Sequence, residues 1–204
     1  MSDLIFYTNP QSRGRIVRWM LEEAGADYST EIVGYGPSMK GPDYLAINPM
    51  GKVPAIRHRG TIVTECAAIC AYLADVFPEA GLAPPTGERG DYYRWMFFAA
   101  GPVEAAITDK ALKVEPDAEQ RGFVGYGCFD DVMKTLNGAL SGRPYICGDD
   151  FTAADIYVGS QIAFGLMFKT IEETPVFRQY ADRLQARPAY KRALEMDEAA
   201  AAAA

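Results

Sequence analysis

The spacing of apolar residues changes twice along the chain, and the changes divide it. Leu4-Ile5-Phe6-Tyr7 is a short unbroken apolar run closed by Asn9-Pro10, the pattern of a buried strand and a turn. Ile16, Val17, Met20, Leu21 and Ala24 then recur at helical spacing. Arg15, Arg18, Glu22 and Glu23 fall mostly on the other face, and Gly25 supplies the stop. Tyr28 to Val33 reads as a second strand. Gly34 to Pro42 holds three glycines and two prolines in nine residues and must be loop. A short helix around Tyr44-Leu45-Ala46 ends before Asn48-Pro49. Val53-Pro54-Ala55-Ile56 predicts a strand that Arg59-Gly60 turns into Thr61-Ile62-Val63 as a hairpin, and Glu65 to Phe77 predicts a helix stopped by Pro78.

Pro78 to Gly87, with three prolines and two glycines, is the one clear linker. Everything after it reads helical. Asp91 to Lys113 carries Tyr92, Trp95, Phe98, Val103 and Ile107 and suits one long buried helix, bent at Gly101-Pro102. Asp117 to Leu140 predicts a second helix with glycine-laden patches, and Thr152-Ala153-Ala154-Asp155 opens a third, strongly apolar one. Pro175 to Leu184 and Pro188 to Met196 each begin with proline near the first helical position. Ala199 to Ala204 has almost no side chain to pack and reads as a disordered tail. The boundaries that follow are an α/β domain at 1–80, a linker at 81–87, an all-helical domain at 88–198 and a tail at 199–204.

Composition narrows the function. A chain of 204 residues with 49% apolar and 12% aromatic residues buries too much to be disordered. Its longest apolar run, Cys66 to Ala74, is far short of the ~20 residues that span a bilayer. The acidic start Met1-Ser2-Asp3 argues against a secretory signal. A net charge of −7 disfavours nucleic acid or an anionic membrane as partner. The four cysteines, Cys66, Cys70, Cys128 and Cys147, form no C-x-x-C, and there is one histidine. Free thiols in a reducing cytoplasm fit that set better than a zinc site, so no metal is expected.

Three ordered segments carry a resemblance: Asn48-Pro49-Met50-Gly51-Lys52-Val53-Pro54-Ala55, then Thr64-Glu65-Cys66-Ala67-Ala68-Ile69, then Asp149-Asp150-Phe151-Thr152-Ala153-Ala154-Asp155-Ile156. With the β-α-β, β-β-α order ahead of an all-helical half, the chain resembles the cytosolic glutathione S-transferase superfamily. Tyr7-Thr8-Asn9-Pro10-Gln11-Ser12-Arg13-Gly14-Arg15 is similar to the opening of bacterial members with a serine-type site. The resemblance implies a thioredoxin-like amino-terminal domain and an all-helical carboxy-terminal one, a cytoplasmic homodimer, a role in detoxification, and glutathione as a substrate.

Glutathione has two carboxylates, an ammonium and a thiol, and each needs a partner. Thr64-Glu65-Cys66 falls where a strand ends and a helix begins, so the amides of Cys66 and Ala67 face an incoming carboxylate and Glu65 pairs with the ammonium. Without a ligand, Glu65 is simply a first-turn acid favouring the helix dipole by ~0.3–1 kcal/mol. Cys66 stands where the family usually has serine, a better hydrogen-bond donor. The resemblance makes the Val53-Pro54 bond cis and lets the Val53 main chain clamp the cysteinyl unit like an added strand. Otherwise Pro54 merely starts an edge strand. Lys52 is a candidate for the glycyl carboxylate or a solvated loop lysine, and Lys40 is a weaker candidate.

Ser12 is the candidate for the sulfur, and Tyr7 its rival. A thiol of pKa ~8.5 is about 3% ionised at pH ~7, and lowering that pKa to ~6.5 requires ~2.7 kcal/mol. A hydroxyl hydrogen bond to an anion, ~1.5–3 kcal/mol, together with a helix N-terminus supplies it. The thiolate fraction rises ~25-fold while nucleophilicity falls ~6–10-fold, so most of the acceleration must come from positioning the second substrate. Ser12 equally reads as the cap of the helix that follows. Trp95, Phe98 and Pro102 are candidates for the acceptor pocket, although aromatics at helical spacing usually form core. The expected activity is transfer of the glutathione thiolate to a small hydrophobic electrophile. The alternatives are a glutathione-dependent peroxidase or disulfide reductase, and a non-catalytic binding protein of the same fold.

Overall fold

A computed structural model describes residues 3–203. The chain forms two compact units, one of Met1–Leu82 with Ala186–Ala204 and one of Ala83–Gln185. The first holds a four-stranded sheet in the order β2-β1-β3-β4, with β1 at Leu4–Thr8, β2 at Ser29–Ile32, β3 at Ala55–His58 and β4 at Thr61–Thr64. β1 pairs parallel with β2 and antiparallel with β3, which pairs antiparallel with β4. Helix α1 (Gly14–Ala24) makes the crossover that a parallel pair requires. It buries Ile16, Val17, Met20 and Leu21 and ends on Gly25, whose φ of 61° is the left-handed stop predicted for glycine. Helix α2 (Pro42–Leu45) is a single turn, and α3 (Cys66–Val76) buries Ile69, Cys70, Leu73 and Ala74. β3 begins at Ala55 rather than Val53, since Pro54 has no N–H to give the ladder.

Helix α9 (Pro188–Ala202) belongs to this first unit. That corrects two expectations, a helical domain reaching residue 198 and a disordered tail from 199. The helix continues through Ala202, because alanine is the best helix former and Ala189, Ala193 and Asp197 give the helix a buried stripe. Ala204 lies outside the described residues. The stripe is anchored to α1 by an ion pair, Arg18 Nε to Asp197 Oδ1 at 2.6 Å, with both side chains almost wholly buried. Arg18 also lies over the Phe6 ring. Arg187 grips Glu23 through two nitrogens, at 2.6 and 2.8 Å. Polar residues on the outer half of α1 therefore serve as a second packing face, which helical periodicity alone assigned to solvent.

The second unit is helical throughout. The helix predicted over 91–113 is α4 (Gly90–Phe98) and α5 (Glu104–Ala111), joined by a five-residue π segment, Ala99–Val103, that holds Pro102. Proline removes one intrahelical donor, and the wider turn accommodates the loss. The helix expected from 117 is overturned. Only Gln120–Gly122 makes a 3-10 turn, and α6 starts at Phe129 and ends at Leu140. Glycines at 122, 125 and 127, the last at φ 69°, hold the earlier stretch out of helix. Helix α7 (Ala153–Met167) is the buried centre, and α8 (Pro175–Gln185) packs on it so closely that a Cβ at Gly159 would fall 2.1 Å from Leu184 Cδ1. α7 opens with the capping box Thr152/Asp155.

Candidate active site

The register of the sheet builds the site. Tyr7 faces Ala55 and Ala55 faces Thr64, so one row crosses three strands. The chain leaving β1, the chain entering β3 and the chain leaving β4 therefore all lie at the same edge. Those three connections carry Ser12, Val53-Pro54 and Glu65-Cys66.

The first connection is organised by Asn9. Its side-chain amide donates to the Val33 carbonyl at 3.1 Å, its Oδ1 accepts the Gln11 amide at 3.0 Å, and its own carbonyl accepts both the Ser12 amide at 3.0 Å and the Ser12 hydroxyl at 2.7 Å. Ser12 Oγ in turn accepts the Gly14 amide at 2.9 Å, so the half-buried hydroxyl caps the first turn of α1. The turn sits hard against β1, where a Cβ on Gly14 would lie 1.9 Å from Thr8 Oγ1. Only glycine permits that approach.

The second connection is held from both sides. The Lys52 carbonyl accepts the Tyr44 hydroxyl at 2.7 Å and the Asn48 side-chain amide at 2.8 Å, while Asn48 Oδ1 accepts the Met50 amide at 3.1 Å. Burial and the neighbouring Tyr7 push the Tyr44 phenol up to about 12, so it remains a donor. Gly51 has φ 57°, and a Cβ there would meet the Met39 carbonyl and the Lys40 chain at 2.8 Å. Lys40 Nζ donates to the carbonyls of Met50 and Gly51, both at 2.9 Å, so it is a brace of the loop. The braced loop delivers a cis Val53–Pro54 bond, as the resemblance implies. The Lys52 side chain is exposed and has no partner among the described residues.

The third connection opens α3. Glu65 has φ 66° and ψ 117°, a left-handed-side conformation that costs a residue with a Cβ of order 1–3 kcal/mol. Its carbonyl begins the helix by accepting the Ile69 amide at 2.9 Å, while its exposed carboxylate has no partner among the described residues. The opening amides of α3, that of Ala67 included, precede the intrahelical ladder and have no intrahelical acceptor. Cys66 is buried, and its Sγ donates to the Arg13 carbonyl at 3.6 Å, tying the start of α3 to the start of α1. Cys70, one turn on, is fully buried, and desolvation pushes its thiol well above the ordinary range.

The remaining predicted residues fall elsewhere. Tyr7 lies in an apolar cluster with Val33, Met39, Tyr44 and Ala55, its ring 6.0 Å from that of Tyr44. In the helical unit, Trp95 is buried and packs edge-to-face on Phe98 at 5.7 Å, and Pro102 sits in the π segment. None of these three lines the cavity of about 320 Å³ found in that unit. Asn9, Tyr44 and Asn48, which position the first two connections, were missed as functional residues. Their signal was present in the two Asn-Pro dipeptides at 9–10 and 48–49, read only as turns. Among the described residues no group of three His, Cys, Asp or Glu side chains is placed to hold a metal ion, and no helix is long and apolar enough to cross a membrane.

This arrangement, a β-α-β unit and a β-β-α unit whose loops meet beside a cis proline and a helix N-terminus, is the thioredoxin-like architecture of thiol-peptide enzymes. The profile of the glutathione S-transferase N-terminal domain matches residues 12–76. The chain is 28% identical to a glutathione S-transferase of Escherichia coli, over 87% of this chain and 90% of that protein. A solved glutathione transferase from Methylococcus capsulatus superposes with a TM-score of 0.79 at 29% identity, over 96% and 98% of the two chains. A sphingomonad glutathione S-transferase, solved in complex with glutathione, gives 0.77 at 26% identity over 95% and 98%. The chain belongs to the cytosolic glutathione S-transferase superfamily and is an enzyme of it.

Proposed function

We propose that the chain binds glutathione at the edge formed by its three connections and transfers the thiolate to a small hydrophobic electrophile. The observation that carries this reading is the conjunction at that edge of a braced cis Val53–Pro54 turn with a partnerless acid, Glu65, held at positive φ on a helix N-terminus. The Val53 main chain clamps the cysteinyl unit, the α3 amides take the γ-glutamyl carboxylate, and Glu65 takes the ammonium. Cys66 adds little to the carboxylate, since its weak donor is already turned to Arg13. Lys52, exposed and without a partner among the described residues, takes the glycyl carboxylate.

Ser12 is the residue we assign to the sulfur. Its proton points at the Asn9 carbonyl at 2.7 Å, so turning it onto a thiolate gives up one neutral bond for one to an anion, a net gain of about 1 kcal/mol. Tyr7 is the poorer choice because its ring is packed into the core beneath the edge. A disulfide-reductase reading is favoured by an accessible low-pKa protein thiol, and the thiols near this edge are buried. Trp95, Phe98 and Pro102 as acceptor-pocket residues, a cytoplasmic homodimer and a role in detoxification belong to the same reading and rest on the resemblance.

Retention on immobilised glutathione, followed by conjugation of chlorodinitrobenzene, tests it. Retention with conjugation is the expected result. Retention with peroxide or disulfide turnover alone, or with no turnover, overturns the transferase assignment, and failure to be retained overturns the binding site.

A further inference from the structure

Helix α8 packs against α6 and α7, while α4, which carries Trp95 and Phe98, packs against α7 and the π segment. Between α8 and the turn that leaves α6 lies a cavity of about 290 Å³. None of its lining residues belongs to the three connections or to the acceptor candidates. Val176, Gln179 and Arg183 stand at i, i+3 and i+7 on one face of α8, and Leu140, Gly142 and Arg143 come from the turn opposite. Gly142, at φ 75°, makes that turn possible, so Arg143 follows α6 closely enough to line the cavity.

Two guanidiniums line this cavity, and among the described residues no carboxylate does. Asp182, beside Arg183 in the chain, is turned to Arg178 at 3.8 Å. The floor is fixed, because Tyr180 is buried and its hydroxyl donates to Asp155 Oδ1 at 2.8 Å. The rim is fixed too. Arg183 Nη1 donates to the Pro144 carbonyl at 2.7 Å, and the Ile146 amide donates to Asp155 at 2.7 Å. Arg183 is thereby held in place with Nε and Nη2 unspent. The Arg143 side chain, the Gly142 amide and the Gln179 side chain make no hydrogen bond among the described residues. The carbonyls at the end of α6, which would oppose an anion, are occupied. Those of Asn137 and Gly138 accept the Ser141 amide, and that of Leu140 accepts the Arg143 amide. In a chain of net charge −7, two arginines facing one hollow without an acid concentrate positive potential there. A monocarboxylate satisfies one guanidinium fork. A phosphate dianion has the charge and the oxygens to be shared by two.

We propose that this cavity binds a phosphate dianion, free or as the monoester of a small organic body, its oxygens shared between Arg143 and Arg183 and met by the Gly142 amide and the Gln179 side chain. Leu140 and Val176 give the body of an ester its apolar contact. The volume is just below the ordinary range for drug-sized ligands, which suits a small ester. The test uses no glutathione, so its failure and the failure of the transferase reading are separate results.

The probes are inorganic phosphate, phenyl phosphate and phenyl sulfate, which has the shape of phenyl phosphate and one charge fewer. Each is titrated calorimetrically into the full chain at pH ~8, where the second phosphate proton, of pKa ~6 in an ester, is gone. Phosphate binds, as the free ion or the ester, about tenfold tighter than phenyl sulfate, and added salt weakens it. The tighter of the two phosphates identifies the source. Arg143→Gln and Arg183→Gln each weaken phosphate binding by about threefold to fivefold, as expected of exposed ion pairs. Arg183→Lys, which keeps the charge and loses the planar fork, falls between the parent and Arg183→Gln. The two glutamine substitutions together abolish the preference over sulfate. Circular dichroism confirms that each variant is folded, and if the double variant is not, the single variants are read instead. No heat from either phosphate, equal affinity for phenyl phosphate and phenyl sulfate, or phosphate binding unchanged in the folded variants overturns the proposal.

Discussion

Two acids stand at the openings of two helices, and they are used in opposite ways. Asp155 is wholly buried at the start of α7. Its Oδ1 accepts the Ile146 amide at 2.7 Å and the Tyr180 hydroxyl at 2.8 Å, and its Oδ2 accepts the Thr152 amide at 2.9 Å and hydroxyl at 3.1 Å. Burial still raises its pKa from the ordinary carboxylate value, against the pull of those donors. Glu65 is exposed at the start of α3, has no side-chain partner among the described residues, and holds a backbone conformation that glycine would adopt more cheaply. An acid saturated by the protein's own donors is scaffold. An acid kept unsatisfied at some backbone cost is kept for something the chain itself does not supply.

The sharpest way to break this comparison is Asp155→Ala. It strands four donors in a dry environment and is expected to cost roughly 3–5 kcal/mol, read as a lower urea midpoint. The fraction that remains folded should keep its glutathione KM. A raised KM with normal stability would move Asp155 from scaffold to site.

Glu65→Gln should do the reverse. Stability changes by less than about 0.5 kcal/mol, as for an exposed site. The KM for glutathione rises roughly tenfold to a hundredfold, since a charge-assisted bond of about 1.5–3 kcal/mol is lost. Unchanged binding would leave Glu65 as a helix-dipole acid and nothing more.

Ser12→Ala lies between the two, because Ser12 both caps and faces the edge. It should lower stability by about 1 kcal/mol and kcat by about twofold to fivefold, with a raised thiol pKa visible in the ultraviolet absorbance of bound glutathione. Loss of stability with no change in the thiolate band would reduce Ser12 to a cap.

The smallest expected effect comes from the other end of the sheet, where His58 pairs with Leu4 and its Nδ1 lies 3.0 Å from the Tyr72 hydroxyl. Burial, then the Arg59 guanidinium, lower its pKa from 6.5. Between that lowered value and 6.5 the unfolded chain binds more protons than the folded one. This contribution to stability is therefore full above 6.5 and lost as pH falls through and below it. The melting temperature should drop from pH 7.5 to pH 5.5 more in the parent than in His58→Gln. Equal drops would assign the loss to other groups.

Much of this was legible along the chain, for a physical reason. Element types follow local rules: Gly25 stops α1 because left-handed backbone suits glycine, and Thr152 and Asp155 mark α7 because a capping box spans four residues. Ser12, Val53, Pro54, Glu65 and Cys66 were likewise found as candidates from short motifs. Their meeting at one edge was not readable, since the row Tyr7, Ala55, Thr64 is set by strand register between distant segments.

The same limit explains what was misread. Asp197 was placed in the helical domain, because nothing near it announces Arg18 as its partner 179 positions away. The stretch from 117 to 128 carried enough helix formers to pass for helix until its glycines prevailed. Lys40 was weighed as a ligand residue, but in three dimensions its ammonium is spent on the carbonyls of Met50 and Gly51. What the sequence determined by itself was local: strands, helices, caps, and which residues have the right chemistry. Tertiary structure alone decided which of those residues remain unsatisfied, because a side chain's partner is found by folding and not by neighbouring in the chain.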